Sequence, residues 1–145
     1  MPHISNRKIN DVDYQKIYNQ LISIFDTAGT KLKSDKLLLE FLTETERIML
    51  SKRLAILFML DEGISKHYIS EILLVSSSTV DRISLKYEIN KFPFIKNIIK
   101  HNKKSIWQII GEVIRRSNEN YLGKRRLAWL DDIDRKYKRK VFKIK

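Results

Sequence analysis

Three features of the sequence predict an all-α fold. Its 145 residues include only 4 Gly and 2 Pro. Apolar residues recur at spacings of three and four rather than two, the period of a helix with one buried face. Ser, Thr and acidic residues stand where these stripes begin, as helix caps do.

The first helix is expected over Val12 to Phe25, where Tyr14, Ile17, Tyr18, Leu21, Ile22 and Phe25 share one stripe. The polar stretch Asp26 to Ser34, with Gly29 inside it, should end it. A short apolar helix, Asp35 to Phe41, follows. Thr43, with Glu46 three residues on, forms a capping box for a longer helix. That helix carries Leu50, Leu54, Leu57 and Phe58 on a core face and ends near Gly63. Ser65 caps the next helix, and Ser76 or Ser77 the one after. Lys91-Phe92-Pro93 interrupts the path, because proline lacks a donor and restricts its predecessor. Ser105 with Gln108 reads as a second capping box, opening a helix with Ile106, Ile109, Ile110, Val113 and Ile114 on one face. Ser117 to Gly123 reads as a loop, and a last helix runs from about Lys124 to Lys138.

The most informative stretch is Lys66 to Ile83, two short helices joined by a tight turn. Ile69, Leu73, Val75, Val80 and Ile83 fall where such a pair must pack, and the small Ser70 marks the closest approach. This leaves Ser76, Ser77, Ser78, Thr79, Asp81, Arg82 and Lys86 for solvent. Hydroxyls and a guanidinium on a short helix suit a DNA major groove, so the unit at about 65–87 reads as a helix-turn-helix. The turn position that often holds glycine is Leu74 here. A left-handed backbone there costs about 1 kcal/mol, so leucine predicts another turn geometry or a register one residue away.

Net charge is +12, and it is unevenly placed. Residues 1–95 hold 13 Lys/Arg and 12 Asp/Glu, whereas residues 96–145 hold 16 and 5. Excess positive charge after the reading unit points to a polyanion partner: DNA, RNA or an anionic membrane surface. The chain therefore divides into a helix-turn-helix domain, 10–91, and a basic helical extension, 92–145. No cysteine is present, which excludes disulfides and thiolate metal sites and fits a reducing cytoplasm. Met1 to Asn10 lacks the apolar core of a signal peptide, and the run Leu54 to Leu60 is too short to span a bilayer. A soluble, cytoplasmic, nucleoid-associated protein without membrane partners is expected.

Phe41-Leu42-Thr43-Glu44-Thr45-Glu46-Arg47, then Ser51-Lys52-Arg53-Leu54, Gly63 and Ser77-Ser78-Thr79-Val80-Asp81-Arg82, resemble the Trp repressor superfamily in order and spacing. The resemblance spans roughly Tyr14 to Lys91. The interval from Gly63 to Arg82 matches the Trp-repressor-like branch rather than the repressor itself, which is one residue longer there. The resemblance implies a Trp-repressor-like helical bundle with a helix-turn-helix, followed by the C-terminal helical extension. It also implies an intertwined homodimer that meets a two-fold symmetric site, with half-sites about one helical turn apart. By position, Lys66 and His67 lie near phosphates, and Ser77, Ser78, Thr79, Asp81 and Arg82 face the groove. The positions that sandwich tryptophan in the repressor map to Arg53 and Arg82, and Thr43 matches a ligand-lining position. Ile83, however, stands where the repressor has glycine, and its bulk crowds an indole; no cofactor is expected.

No catalytic constellation stands out, so an enzyme is not expected. His3, His67 and His101 have no metal-ligand spacing, and no glycine-rich phosphate loop exists. Asp131, Asp132 and Asp134 stand beside Arg135 and Lys136 and read as solvated ion pairs rather than a Mg²⁺ site. Trp107 and Trp129 lie on helix stripes as core or interface residues. Arg115, Arg116, Lys124, Arg125, Arg126, Lys138, Arg139 and Lys140 are candidate additional phosphate contacts. The expected function is a sequence-specific double-stranded DNA-binding transcriptional regulator acting as a homodimer. Two alternatives are an RNA- or ribosome-associated basic module and a DNA-binding accessory protein of a mobile element.

Overall fold

The computed structural model describes residues 8–120 and 128–139, and over these the chain is helical. The helices are α1 (Asp11–Ala28), α2 (Lys31–Phe41), α3 (Glu44–Asp61), α4 (Lys66–Leu73), α5 (Ser77–Glu88), α6 (Pro93–Asn120) and α7 (Ala128–Arg139). Together with the helix-turn-helix formed by α4 and α5, they make the all-α bundle with a helical extension that the sequence predicts. Backbone contacts divide the chain into two compact units, one up to Ile48 and one from Met49 onward.

In the first unit, Asn10 caps α1 by accepting a hydrogen bond from the Val12 N–H at 2.9 Å. Asp11 and Asp13 add negative charge at the positive end of the helix. The helix runs past Phe25 to Ala28 and stops at Gly29, whose φ of 40° is left-handed. α2 begins at Lys31, four residues earlier than the apolar pattern indicates, with Thr30 as its N-cap. The capping box of α3 forms as expected: Thr43 N–H donates to Glu46 Oε2 at 2.9 Å, and Glu46 N–H donates to Thr43 Oγ1 at 3.3 Å. The Thr43 hydroxyl and N–H together hold the Glu46 carboxyl below its ordinary pKa. Arg47 donates to the Leu42 carbonyl at 2.7 Å, satisfying an end of α2.

The apolar stripe of α1 is helical as predicted but not buried. Tyr14, Ile17, Tyr18, Ile22 and Phe25 are 40–58% exposed. Among the described residues of this unit only Ala28 is buried.

The second unit holds the core. Ala55 to Met59 of α3 are all buried, and around them lie Ile69 and Ile72 of α4, Val80 of α5, Ile99, Trp107 and Ile114 of α6, and Leu130 and Tyr137 of α7. Leu57 and Phe58 occupy the expected core face. Leu50 and Leu54 do not; both are 46% exposed, because the buried end of α3 begins only at Ala55. Two residues past the end of α3, Gly63 takes a left-handed conformation (φ 77°), which turns Ile64 back into the core.

The predicted break before Pro93 is present, with proline in the first turn of α6, where its missing N–H costs nothing. The second capping box is absent. α6 runs unbroken through Ser105 and Gln108, so neither opens a helix, and residues 117–120 continue it rather than forming a loop. Residues 121–127 lie outside the described residues. The stripe that governs α6 is continuous across Ser105: Ile99, Trp107 and Ile114 are buried, with Ile95, Ile106 and Ile110 partly so.

A polar cluster joins four helices of this unit. Lys103 of α6 lies 2.6 Å from Asp61 Oδ2 and 3.2 Å from Glu62 Oε1. Tyr87 of α5 donates to Asp61 at 2.7 Å. Tyr137 and Lys136 of α7 donate to Glu62 at 2.5 and 2.9 Å. The Glu62 side chain is only 1% exposed. Burial alone would raise both carboxyls. These hydrogen bonds and the nearby lysine charge outweigh it and hold both below their ordinary values. Burial and the Asp61 carboxylate push Tyr87 up to about 12, and burial with Glu62 pushes Tyr137 up as well. Lys103 is raised: its burial opposes the charge, but the bonds to Asp61 and Glu62 prevail.

Breaking this cluster should be costly. Glu62→Gln is expected to lose about 3 kcal/mol in urea denaturation, the range for a buried ion pair deprived of one partner. A carboxyl whose folded pKa is depressed stabilises above its unfolded value, here 4.5, and loses that contribution as pH falls. The stability gap between wild type and Glu62→Gln should therefore shrink as pH drops below about 4. A gap unchanged down to about pH 2.5 would contradict the assigned role. Tyr87, raised above its unfolded value of 10.0, should lose its contribution as pH rises from there toward about 12.

Candidate nucleic-acid interface

The helix-turn-helix is built by local rules acting in sequence. Ser65 accepts from the Tyr68 N–H at 3.4 Å and starts α4. Ile69, Ser70, Ile72 and Leu73 bury the inner face of α4. Ser70 is small enough for close helix approach and satisfies its hydroxyl on the His67 carbonyl at 2.7 Å. The chain then turns at Leu74 with φ 50° and ψ 57°, and the N–H groups of Leu74 and Val75 both reach the Ser70 carbonyl. The other turn geometry, or the register one residue away, that leucine predicts is thus not found: the turn falls at Leu74 and is the ordinary left-handed one, made with leucine in place of glycine. Lys52 of α3 donates to the Leu74 carbonyl at 3.2 Å, bracing the turn from behind.

Ser76 caps α5. Its Oγ accepts from the Thr79 N–H at 3.3 Å and lies 2.8 Å from Thr79 Oγ1 and 3.1 Å from Ser78 Oγ. Val80 and Ser84 are buried on the inner face of α5, and Ile83 and Tyr87 are half-buried against the core. The outer face carries Ser77, Ser78, Asp81, Arg82 and Lys86, all exposed as expected. Thr79 departs from the expectation: it is half-buried and its hydroxyl is engaged with Ser76.

Lys66 and His67 begin α4 on the same unit and are exposed, the His67 ring 5.8 Å from that of Tyr68. Lys66 reaches across to α5, 3.8 Å from Asp81 and 3.6 Å from Glu88. Both partners are about half exposed, so these are weak, salt-screened contacts that order the lysine without neutralising it permanently. Among the described residues Arg82 and Lys86 have no ion-pair partner. The outer face also carries two residues that the polar reading passes over, Leu85 at 61% and Ile89 at 58% exposure. Their spacing of three and seven from Arg82, on a 3.6-residue repeat, is the signal that could have found them.

The more distant candidates fare differently. Arg115 is paired with Asp134 at 2.8 Å, and Asp134 also accepts from Trp107 Nε1 at 2.9 Å, so this arginine ties α6 to α7. Arg116 pairs loosely with Glu112 of its own helix at 3.6 Å. Lys124, Arg125, Arg126 and Lys140 lie outside the described residues, as do the side chains of Lys138, Arg139 and Trp129. Trp107 is a core residue, 6.1 Å from the Phe58 ring and 5.9 Å from that of Tyr137. Asp132 bonds to Arg135, as expected for a surface pair. Among the described residues no group of acidic and histidine side chains could hold a metal, and no helix is long and apolar enough to cross a membrane. Arg53 and Arg82 are both exposed, Thr43 is committed to its capping box, and Ile83 is half-buried against the core.

A family model described as Trp repressor protein matches residues 16–102, three-fifths of the chain and the whole of the α4–α5 unit. No curated protein and no solved structure gives a match.

The strained turn yields a test. Leu74 is 66% exposed, so replacing it removes little packing while relieving about 1 kcal/mol of left-handed strain. Leu74→Gly should raise the melting temperature by a few degrees, whereas the β-branched Leu74→Val should lower it. A fall with Leu74→Gly would mean that the turn is not left-handed in solution.

Proposed function

The chain belongs to the Trp repressor protein family, and we propose on that footing that it is a sequence-specific double-stranded DNA-binding regulator. The carrying observation is the division of α5. One face is locked into the core by Val80, Ser84 and Tyr87, while the other presents Ser77, Ser78, Asp81, Arg82 and Lys86. A helix fixed from behind and polar in front suits a major groove, where Arg82 can meet guanine O6 and N7 and Asp81 can accept from a cytosine amino group. Lys66, His67 and the N-terminal end of α5, with Ser76 at its cap, are suited to phosphates. The basic C-terminal third adds nonspecific affinity, and Arg116, Lys124, Arg125, Arg126, Lys138, Arg139 and Lys140 are its candidate contacts. Arg115 belongs to that group only in so far as it leaves Asp134. Such a protein would reside on the nucleoid.

A homodimer is part of the proposal. The stripe from Tyr14 to Phe25 places five large apolar side chains 40–58% in solvent. A stripe of that kind is what an intertwined second copy would cover. Two reading heads related by a two-fold axis would then select an inverted repeat. The excess of 16 Lys/Arg over 5 Asp/Glu in residues 96–145 favours one competing reading, a module that grips RNA through its tail.

Selection from a random duplex pool at about 0.15 M salt separates the two. An enriched inverted repeat and a sedimenting species of twice the chain mass are expected. Deleting residues 140–145, which leaves Lys136 and Tyr137 on Glu62, should weaken binding while keeping sequence preference. Loss of nearly all affinity on that deletion, with no enriched repeat, would favour the RNA module. Arg82→Ala should weaken the best duplex about 10- to 100-fold, with an unchanged melting temperature because Arg82 is exposed. Unchanged binding would remove Arg82 from the reading face.

A further inference from the structure

We infer that Leu85 is a base-reading residue that recognises the 5-methyl group of thymine, an inference that rests on the DNA-reading proposal above. On a helix of 3.6 residues per turn, Ser78, Arg82, Leu85 and Ile89 fall within about 60° of one another around the α5 axis. The buried Val80 and Ser84 lie on the opposite side of the same helix. Leu85 therefore stands at the middle of the outer face, between the arginine and the helix end, and not at its margin. It is 61% exposed, and Ile89 one turn on is 58% exposed.

An isolated leucine in solvent needs no explanation. This one is flanked at i−4, i−3 and i+1 by Asp81, Arg82 and Lys86, and within α5 it is the apolar residue of a face otherwise built from hydrogen-bonding groups, Ile89 standing just past the helix end. In a major groove every base-edge feature but one is a donor or acceptor; the exception is the thymine methyl. An apolar side chain centred on the reading face finds its complement there and nowhere else among the base edges. Leu85 lies seven residues beyond Ser78, about 10 Å further along the axis.

The test removes the methyl from the DNA rather than only the leucine from the protein. A duplex enriched from the random pool by the full chain is resynthesised with uracil in place of each thymine in turn. With wild type, a single uracil at one position of either half-site should weaken binding about fourfold, the worth of one methyl group withdrawn from water, and uracil at both symmetry-related positions about fifteenfold. The Leu85→Ser chain should bind the thymine and uracil duplexes equally, with the remaining sequence preference intact. Uracil tolerated at every position, or a methyl effect that persists in Leu85→Ser, would overturn the role of Leu85 while leaving the DNA-reading proposal standing. Failure of wild type to enrich any duplex would overturn that proposal, and the role of Leu85 with it.

Discussion

Two adjacent carboxylates at the end of α3, Asp61 and Glu62, constrain the second unit more than any other feature. They sit at a helix C-terminus, where the backbone dipole is already negative, and the Glu62 side chain is almost fully enclosed. Unpaired, such charges would cost several kcal/mol each. Lys103 lies against both, and the remaining oxygen capacity is met by Tyr87, Lys136 and Tyr137. These donors come from three separate helices, so α5, α6 and α7 must all arrive in register before the acids are satisfied. Apolar packing of Ile99, Trp107 and Ile114 would tolerate small slips of α6 along α3. The shared lysine does not.

The same arrangement fixes α5. Tyr87 holds the C-terminal end of α5 through Asp61, and Lys96 of α6 caps that end by donating to the Tyr87 carbonyl at 2.9 Å while lying 3.9 Å above the Tyr87 ring. At the other end, Lys52 fixes the carbonyl of the turn before α5. A leucine in left-handed conformation can persist there because burial of Leu73 and Val80 on either side determines the path of the chain. The helical extension is therefore a structural part of the core that orients α5, in addition to carrying charge.

What could be read from the sequence was local. The Thr43–Glu46 box and the Ser65 and Ser76 caps depend on residues three apart, and each formed as expected, whereas the left-handed Leu74 went against its local preference. Ser105 with Gln108 carries the same local signature but lies inside a helix whose buried stripe passes straight through it, so tertiary packing overrode the cap. Leu50 and Leu54 show the complementary limit: periodicity identifies a face but not what covers it. The acid cluster was invisible because its bonds join residues up to 75 positions apart. The Arg115–Asp134 pair is hidden for the same reason, since nothing near Arg115 in sequence announces Asp134.

The helix-turn-helix itself is nearly neutral. Between Ser65 and Glu88 the cations Lys66, Arg82 and Lys86 face the anions Glu71, Asp81 and Glu88. Lys66 is moreover drawn to two of those anions. A neutral unit gains little from counterion release, the term that dominates nonspecific attraction to a duplex. Residues 96–145, with their large excess of Lys and Arg, are the part of the chain that can supply that term. On the proposed function, affinity and selectivity would thus rest on different segments: the extension would draw the protein to the polyanion, and the face of α5 would discriminate among sequences once there. An acidic residue on that face is then an asset to discrimination, because it penalises every base edge that offers only acceptors.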